Sequence, residues 1–205
     1  MIVSRKNLAV ITLIAFALAG GTAGAQIGVP ETAPTAGRDT STHFAPISLH
    51  ADLRTRMLTV KRGPEVIKTY QVAVGQDRYP TPLGTFDIRR IVWNPTWHPP
   101  PDAEWAKGKT AKGPGDPANP MKVVKIFFKD PDYYIHGTGD VESLGSAASH
   151  GCLRMDPEEV ADLAKLVMTE GGQPREDNWF WRIVHFRRET KEVYLDSPVP
   201  ITITD

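Results

Sequence analysis

Cysteine is almost absent from this sequence: Cys152 is the only one in 205 residues. A single thiol excludes an intramolecular disulfide framework and any zinc site built from several cysteines. Net charge is missing too, since 24 Lys and Arg stand against 24 Asp and Glu. Without a basic excess the chain lacks the footprint of a nucleic-acid binder. No internal repeat recurs. A bilayer span needs roughly 20 apolar residues, whereas the apolar stretch at residues 8–18 covers eleven. Turn formers are plentiful, with 17 Gly and 18 Pro in a chain that is 40% apolar. That balance points to one β-rich domain with its own core.

Arg5 and Lys6, the apolar stretch behind them and the small residues ending Ala23-Gly24-Ala25 describe a secretory signal peptide over residues 1–25. An uncleaved anchor is the competing reading. Cleavage after Ala25 leaves a chain acidic by two charges, since residues 1–25 hold Arg5 and Lys6 and no acid. The expected product is exported to the periplasm or cell wall, is monomeric, and touches the membrane only through its signal. In an exported chain an unpaired cysteine is a dimer link or a reactive thiol. Residues 26–46, rich in Thr, Ala, Pro and Gly without apolar period, read as a flexible linker before a domain at 47–205.

From Ile47 the pattern changes to period-two alternation broken by Gly and Pro, the mark of strands and hairpins. Strands are expected at 47–51, 57–60, 66–74, 84–88, 123–128 and 133–135, with two closing strands at 193–195 and 201–203. Residues 91–120 hold seven prolines and Trp93, Trp97 and Trp105. Proline removes donors and fixes φ, so no strand or helix is expected through this stretch. It is either a loop packed on the core or a lap over a substrate. Asp156-Pro157-Glu158-Glu159 opens a helix with a capping-box pattern. Val160, Leu163, Ala164 and Val167 give that helix a buried face, and Gly171-Gly172 ends it. Residues 179–188 suggest a second short helix.

The chemistry concentrates in residues 135–155, IHGTGDVESLGSAASHGCLRM. His136, His150 and Cys152 fall within 17 positions, among glycines and other small residues that let backbone approach a ligand. The reactive form of cysteine is the thiolate, and a neighbouring imidazole can take the proton and hold the pair as ions. A thiol so activated ionises well below the ordinary value of about 8.5. Either histidine could serve: His150 lies two residues from Cys152, and His136 ends a strand that could pair beside it. The backbone amides of Ser149, His150, Gly151 and Cys152 could stabilise an oxyanion. Competing readings are a buried structural cysteine, a zinc site of His136, His150 and Cys152, and a different thiol enzyme such as a sortase or papain-like peptidase.

The motif resembles the signature of the L,D-transpeptidase family, the YkuD domain: His136-Gly137-Thr138, a small-residue interval, then Ser149-His150-Gly151-Cys152-Leu153-Arg154. Val74-Gly75 with Thr81 to Phe86, Asn94 to Trp97, Gly115 to Pro120 and Pro198 to Ile201 are similar to other parts of the family pattern. The resemblance covers roughly 47–203. It departs from the family at 171–191, a segment longer than expected. It implies a mainly β, sandwich-like fold with one or two helices after the cysteine motif. It implies Cys152 as nucleophile, His136 as base and Gly137 orienting the imidazole through its carbonyl. Ser149, His150, Gly151 and Arg154 would then serve oxyanion and substrate binding, Arg154 either holding a carboxylate or bracing its loop. No metal and no cofactor is implied. The implied partners are peptidoglycan stem peptides, and the implied activity is 3→3 cross-linking with release of D-alanine. Water as acceptor would make the chain an L,D-carboxypeptidase, and a protein lysine would make it a lipoprotein anchor. A non-catalytic wall-binding module is the runner-up of another class.

Overall fold

The computed structural model describes residues 46–186 and 189–205. The signal peptide expected at 1–25 and the linker up to residue 45 lie outside the described residues. The strands are β1 (Ile47–Asp52), β2 (Met57–Arg62), β3 (Glu65–Gln71), β4 (Val74–Gly75), β5 (Gly84–Trp93), β6 (Lys122–Lys129), β7 (Tyr133–Gly137), β8 (Ala147–Ser149), β9 (Leu153–Met155) and β10 (Lys191–Thr204). Helices α1 (Pro157–Glu170) and α2 (Asp177–Phe186) separate the last two. Eight strands form one sheet in the order β3-β2-β1-β10-β5-β6-β7-β9, and β4 pairs with β8 in a small second sheet.

Alternation sets the faces. In β1, Ile47, Leu49 and Ala51 are buried, and opposite them β2 buries Leu58 and Val60, with Leu49 in register with Val60. Further along, Ile91, Ile126, Ile135 and Leu153 form one row across β5, β6, β7 and β9. All four are fully buried, in one core with Val160, Leu163, Val167 and Met168 of α1. Each such side chain contributes about 1.5–3 kcal/mol of burial. Helix α1 starts where the sequence places it. The Asp156 carboxylate accepts from the Glu158 and Glu159 amides at 2.8 and 3.3 Å, and Pro157 fills the first turn. Helix α2 packs Trp179 and Phe180 against Trp93, with centroids 6.0 and 5.6 Å away.

Three expectations need correction. The two closing strands are one, β10, whose register with β5 shifts between Tyr194 and Val199, where Pro198 cannot donate to a ladder. Strand β5 runs on to Trp93, inside the stretch expected to be irregular, because the prolines begin only at Pro95. The strand expected through Val74 stops at Gln71. Its continuation leaves β2 and bridges β9 instead: the Ala73 amide donates to the Arg154 carbonyl at 3.0 Å and the Arg154 amide returns the bond at 2.9 Å. The sheet thereby nearly closes on itself, and the cysteine motif sits at the seam.

Candidate active site

Strands β7 and β9 run parallel with His136 in register with Arg154. Cys152 immediately precedes β9, so the ladder itself brings the thiol's loop beside the histidine's strand. On β7's other side Lys125 of β6 is the partner of His136. A row of polar side chains therefore crosses the sheet as Lys125, His136, Arg154, on the face opposite the Ile126, Ile135, Leu153 row.

The turn before β9 is held from within. The Ser149 hydroxyl, buried, accepts from the Gly151 amide at 3.0 Å and donates to the Cys152 carbonyl at 2.5 Å. Gly151 has φ of +109°, a conformation side chains rarely adopt, and a Cβ there would press on the Tyr133 ring. The Ser149 hydroxyl thus makes both of these bonds inside the turn.

His136 is buried, and its Nδ1 lies 2.8 Å from the Gly137 carbonyl oxygen. A carbonyl only accepts, so Nδ1 carries the proton and Nε2 keeps its lone pair. Burial pushes the imidazole down to about 3, with the Arg154 and Lys125 charges acting the same way and the Gly137 bond opposing. Cys152 is half-buried, and its Sγ donates to the Asp132 carbonyl at 3.3 Å. Burial pushes the thiol up to about 11, against the lowering effects of Tyr134, Lys125 and Arg154. Burial thus pushes both groups toward their neutral forms.

His150 does not face this pair as a second base. Its ring is stacked on Trp105, with centroids 4.0 Å apart, and tilted against Tyr79 at 4.9 Å, and burial lowers its pKa. Arg154 sits 3.8 Å from Asp140, a contact that braces the 138–146 segment. Among the described residues no three His, Cys, Asp or Glu side chains converge as metal ligands.

Several neighbours were not singled out from sequence. Tyr134 lies 5.6 Å from the His136 ring, and Lys125 Nζ sits 4.5 Å from the Tyr134 centroid. Lys125 could have been found as a lone charge inside the apolar strand Val123-Val124-Lys125-Ile126-Phe127. It also lines a cavity of about 280 Å³ with Arg90, Pro95, Thr96, Phe127 and Glu192 among its walls.

Comparison with known proteins adds independent findings. A model of the YkuD family, the L,D-transpeptidase catalytic domain, matches residues 46–200. The chain is 28% identical over 149 residues to a Bacillus subtilis (strain 168) protein named as the L,D-transpeptidase YkuD, covering 73% of each. It is 34% identical over 119 residues to the same organism's YqjB, named likewise, over 56% of this chain and 62% of that one. Among solved structures, an L,D-transpeptidase from Mycobacterium smegmatis superposes with a TM-score of 0.51 at 18% identity, over 78% of this chain and 59% of that one. The chain therefore spans about six tenths of the length of YqjB and of the mycobacterial protein. At this identity the superposition establishes the fold: mainly β, a nearly closed sheet with two helices near the C-terminus.

Proposed function

The chain belongs to the L,D-transpeptidase catalytic domain family, and from that premise we propose that it is an exported enzyme forming 3→3 peptidoglycan cross-links through a thioester on Cys152. The substrate is a tetrapeptide stem. Cys152 attacks the carbonyl that joins an L-centre, such as that of meso-diaminopimelate, to the terminal D-alanine. His136 Nε2 takes the thiol proton and delivers it to the departing D-alanine nitrogen. An amine of a second stem then attacks the thioester, gives up a proton through His136, and the thiol is regenerated. The nucleophile is the protein's own sulfur, so acyl transfer is complete without a further group.

The observation that carries this reading is the fixed tautomer of His136. With Nδ1–H committed to the Gly137 carbonyl at 2.8 Å, the free Nε2 can act only as acceptor until it is protonated. Proton transfer from sulfur to Nε2 accompanies attack on the carbonyl. Rotation of the Cys152 side chain away from the Asp132 carbonyl brings sulfur to imidazole. Lys125 and Arg154, on either side of His136, favour the negative charge that develops on sulfur and oxyanion. Export is supported by the charged, apolar and small-residue order of residues 1–25.

The test is mass analysis of tetrapeptide muropeptides incubated with the full chain. Expected are an acyl adduct on Cys152 and 3→3 dimers, both lost in C152A. In H136A the acylation rate falls by about 10²–10⁴-fold. Monomeric tripeptide as the sole product would move the reading to a carboxypeptidase. Unchanged products in C152A would end the nucleophile assignment.

A further inference from the structure

Apart from Lys125 on its wall, the cavity between β5, β6 and the Pro95–His98 segment plays no part in the acyl-transfer steps. Its charges are uneven in an informative way. Arg90 is held by two acids: Glu192, at 2.9 Å, and Asp130. The cavity's one acid, Glu192, is thereby occupied. Lys125 is different: among the described residues no carboxylate lies within ion-pair distance of it, and its ammonium rests on the face of the Tyr134 ring. Burial lowers its pKa, so the protein bears a cost in keeping a cation there. Val92, Pro95 and Phe127 supply apolar wall around it. A half-buried cation without an acid, at the mouth of a cavity and one strand from the imidazole, is built to receive an anion.

Resting on the L,D-transpeptidase reading, we propose that Lys125 binds the terminal carboxylate of the amino acid that leaves on acylation, and that the cavity accepts that residue. The geometry agrees in scale. Neighbouring strands lie about 4.8 Å apart, which sets the step from His136 to Lys125. In the substrate, the scissile nitrogen must reach His136 to collect its proton, and the leaving residue's carboxylate carbon is two bonds further on. On this reading the carboxylate, two bonds beyond that nitrogen, is directed toward the neighbouring strand that carries Lys125. The consequence is specificity. A stem with one residue beyond the L-centre presents its charge to Lys125. A stem with two residues presents a neutral amide there, and its carboxylate lies about 3.5 Å further out. Lys125 is in this sense a ruler for stem length.

The experiment uses the full chain with three donors: the tetrapeptide stem, the same stem ending in D-alaninamide, and the pentapeptide. Release of the leaving group gives kcat/KM for each. Wild type is expected to prefer the carboxylate donor over the amide and the pentapeptide by about tenfold or more, the size of a lost charged hydrogen bond. In K125M the preference collapses toward unity, and K125R restores most of it. Because the readout is a ratio, a general loss of activity or partial misfolding in a variant cancels. A wild-type enzyme indifferent to the amide, or K125M keeping the wild-type preference, overturns the assignment. Absence of any Cys152 adduct with all three donors overturns the transpeptidase reading itself, and is distinguished by the missing adduct.

Discussion

The indole of Trp105 lies flat on the imidazole of His150, with ring centroids 4.0 Å apart and planes inclined by 19°. This stack is where the long proline-rich connection between β5 and β6 meets the cysteine motif. The connection thus packs Trp105 on the motif itself. Tyr79 closes the other side of the same imidazole.

Removing the indole exposes His150. Burial is the largest cause of its lowered pKa, so in W105A the imidazole should titrate closer to the ordinary histidine value. Stacking of this kind is worth about 0.5–1.5 kcal/mol, which sets the expected loss of stability. NMR titration of the His150 ring in both proteins is the check. An identical midpoint in W105A would refute the role assigned to the stack.

His136 makes stability depend on pH at the acid side. Its folded value, about 3, lies below its ordinary 6.5, so the unfolded chain binds more protons between the two. Stability is therefore full above pH 6.5 and is lost as pH falls toward 3, by an amount on the order of a few kcal/mol. Denaturant midpoints from pH 7 to 3 should fall, and fall less steeply in H136Q. Parallel curves for the two proteins would remove His136 as the source.

Cys152 acts at the other end. Its folded value, about 11, lies above the ordinary 9.0, so its contribution is full below pH 9 and lost between 9 and 11. The same burial predicts the thiol's chemistry in the absence of substrate. Iodoacetamide alkylation should still be rising with pH beyond 10, where an ordinary thiol has levelled off. A plateau at or below pH 8.5 would instead mean a preformed thiolate.

Ser149 supplies a test of the turn. In S149A the Gly151 amide and the Cys152 carbonyl each lose a partner, at a cost of about 1–3 kcal/mol if both stay buried. The loop that carries sulfur then loosens, and kcat should drop more than KM rises. A drop confined to KM would make Ser149 a substrate contact.

What the sequence disclosed and what it withheld divide along a physical line. Alternation found β1 and β2, and helical period with the Asp156 cap found α1, because both signals are local. The motif residues 136 to 154 were legible because they sit within one short run of chain. The Lys125–His136 and Trp105–His150 pairings were not, because register and loop docking depend on residues far apart in sequence. The state of the thiol was hidden for a similar reason. Proximity of His and Cys in sequence suggests an ion pair, whereas the burial that opposes charge on both comes from the strands packed around them. Ala73 shows a further limit: no composition rule says that a strand will leave one neighbour and bridge another at its last residue.

The placement of β10 between β1 and β5 has a bearing on how the protein comes to be made. Leu49, in the first strand, is in register with Ile201, near the end of the chain, and Phe86 of β5 pairs with Ile201 from the other side. The middle of the sheet is thus, among the described strands, the last in sequence. Until it arrives, β1 and β5 each present an unpaired edge, and neither half can close. Contacts so distant in sequence slow folding, and exposed edges invite pairing with the wrong partner. Neither half of the sheet is therefore protected until β10 is in place. Losing even the last few residues of β10 should abolish the whole sheet rather than trim one end of it.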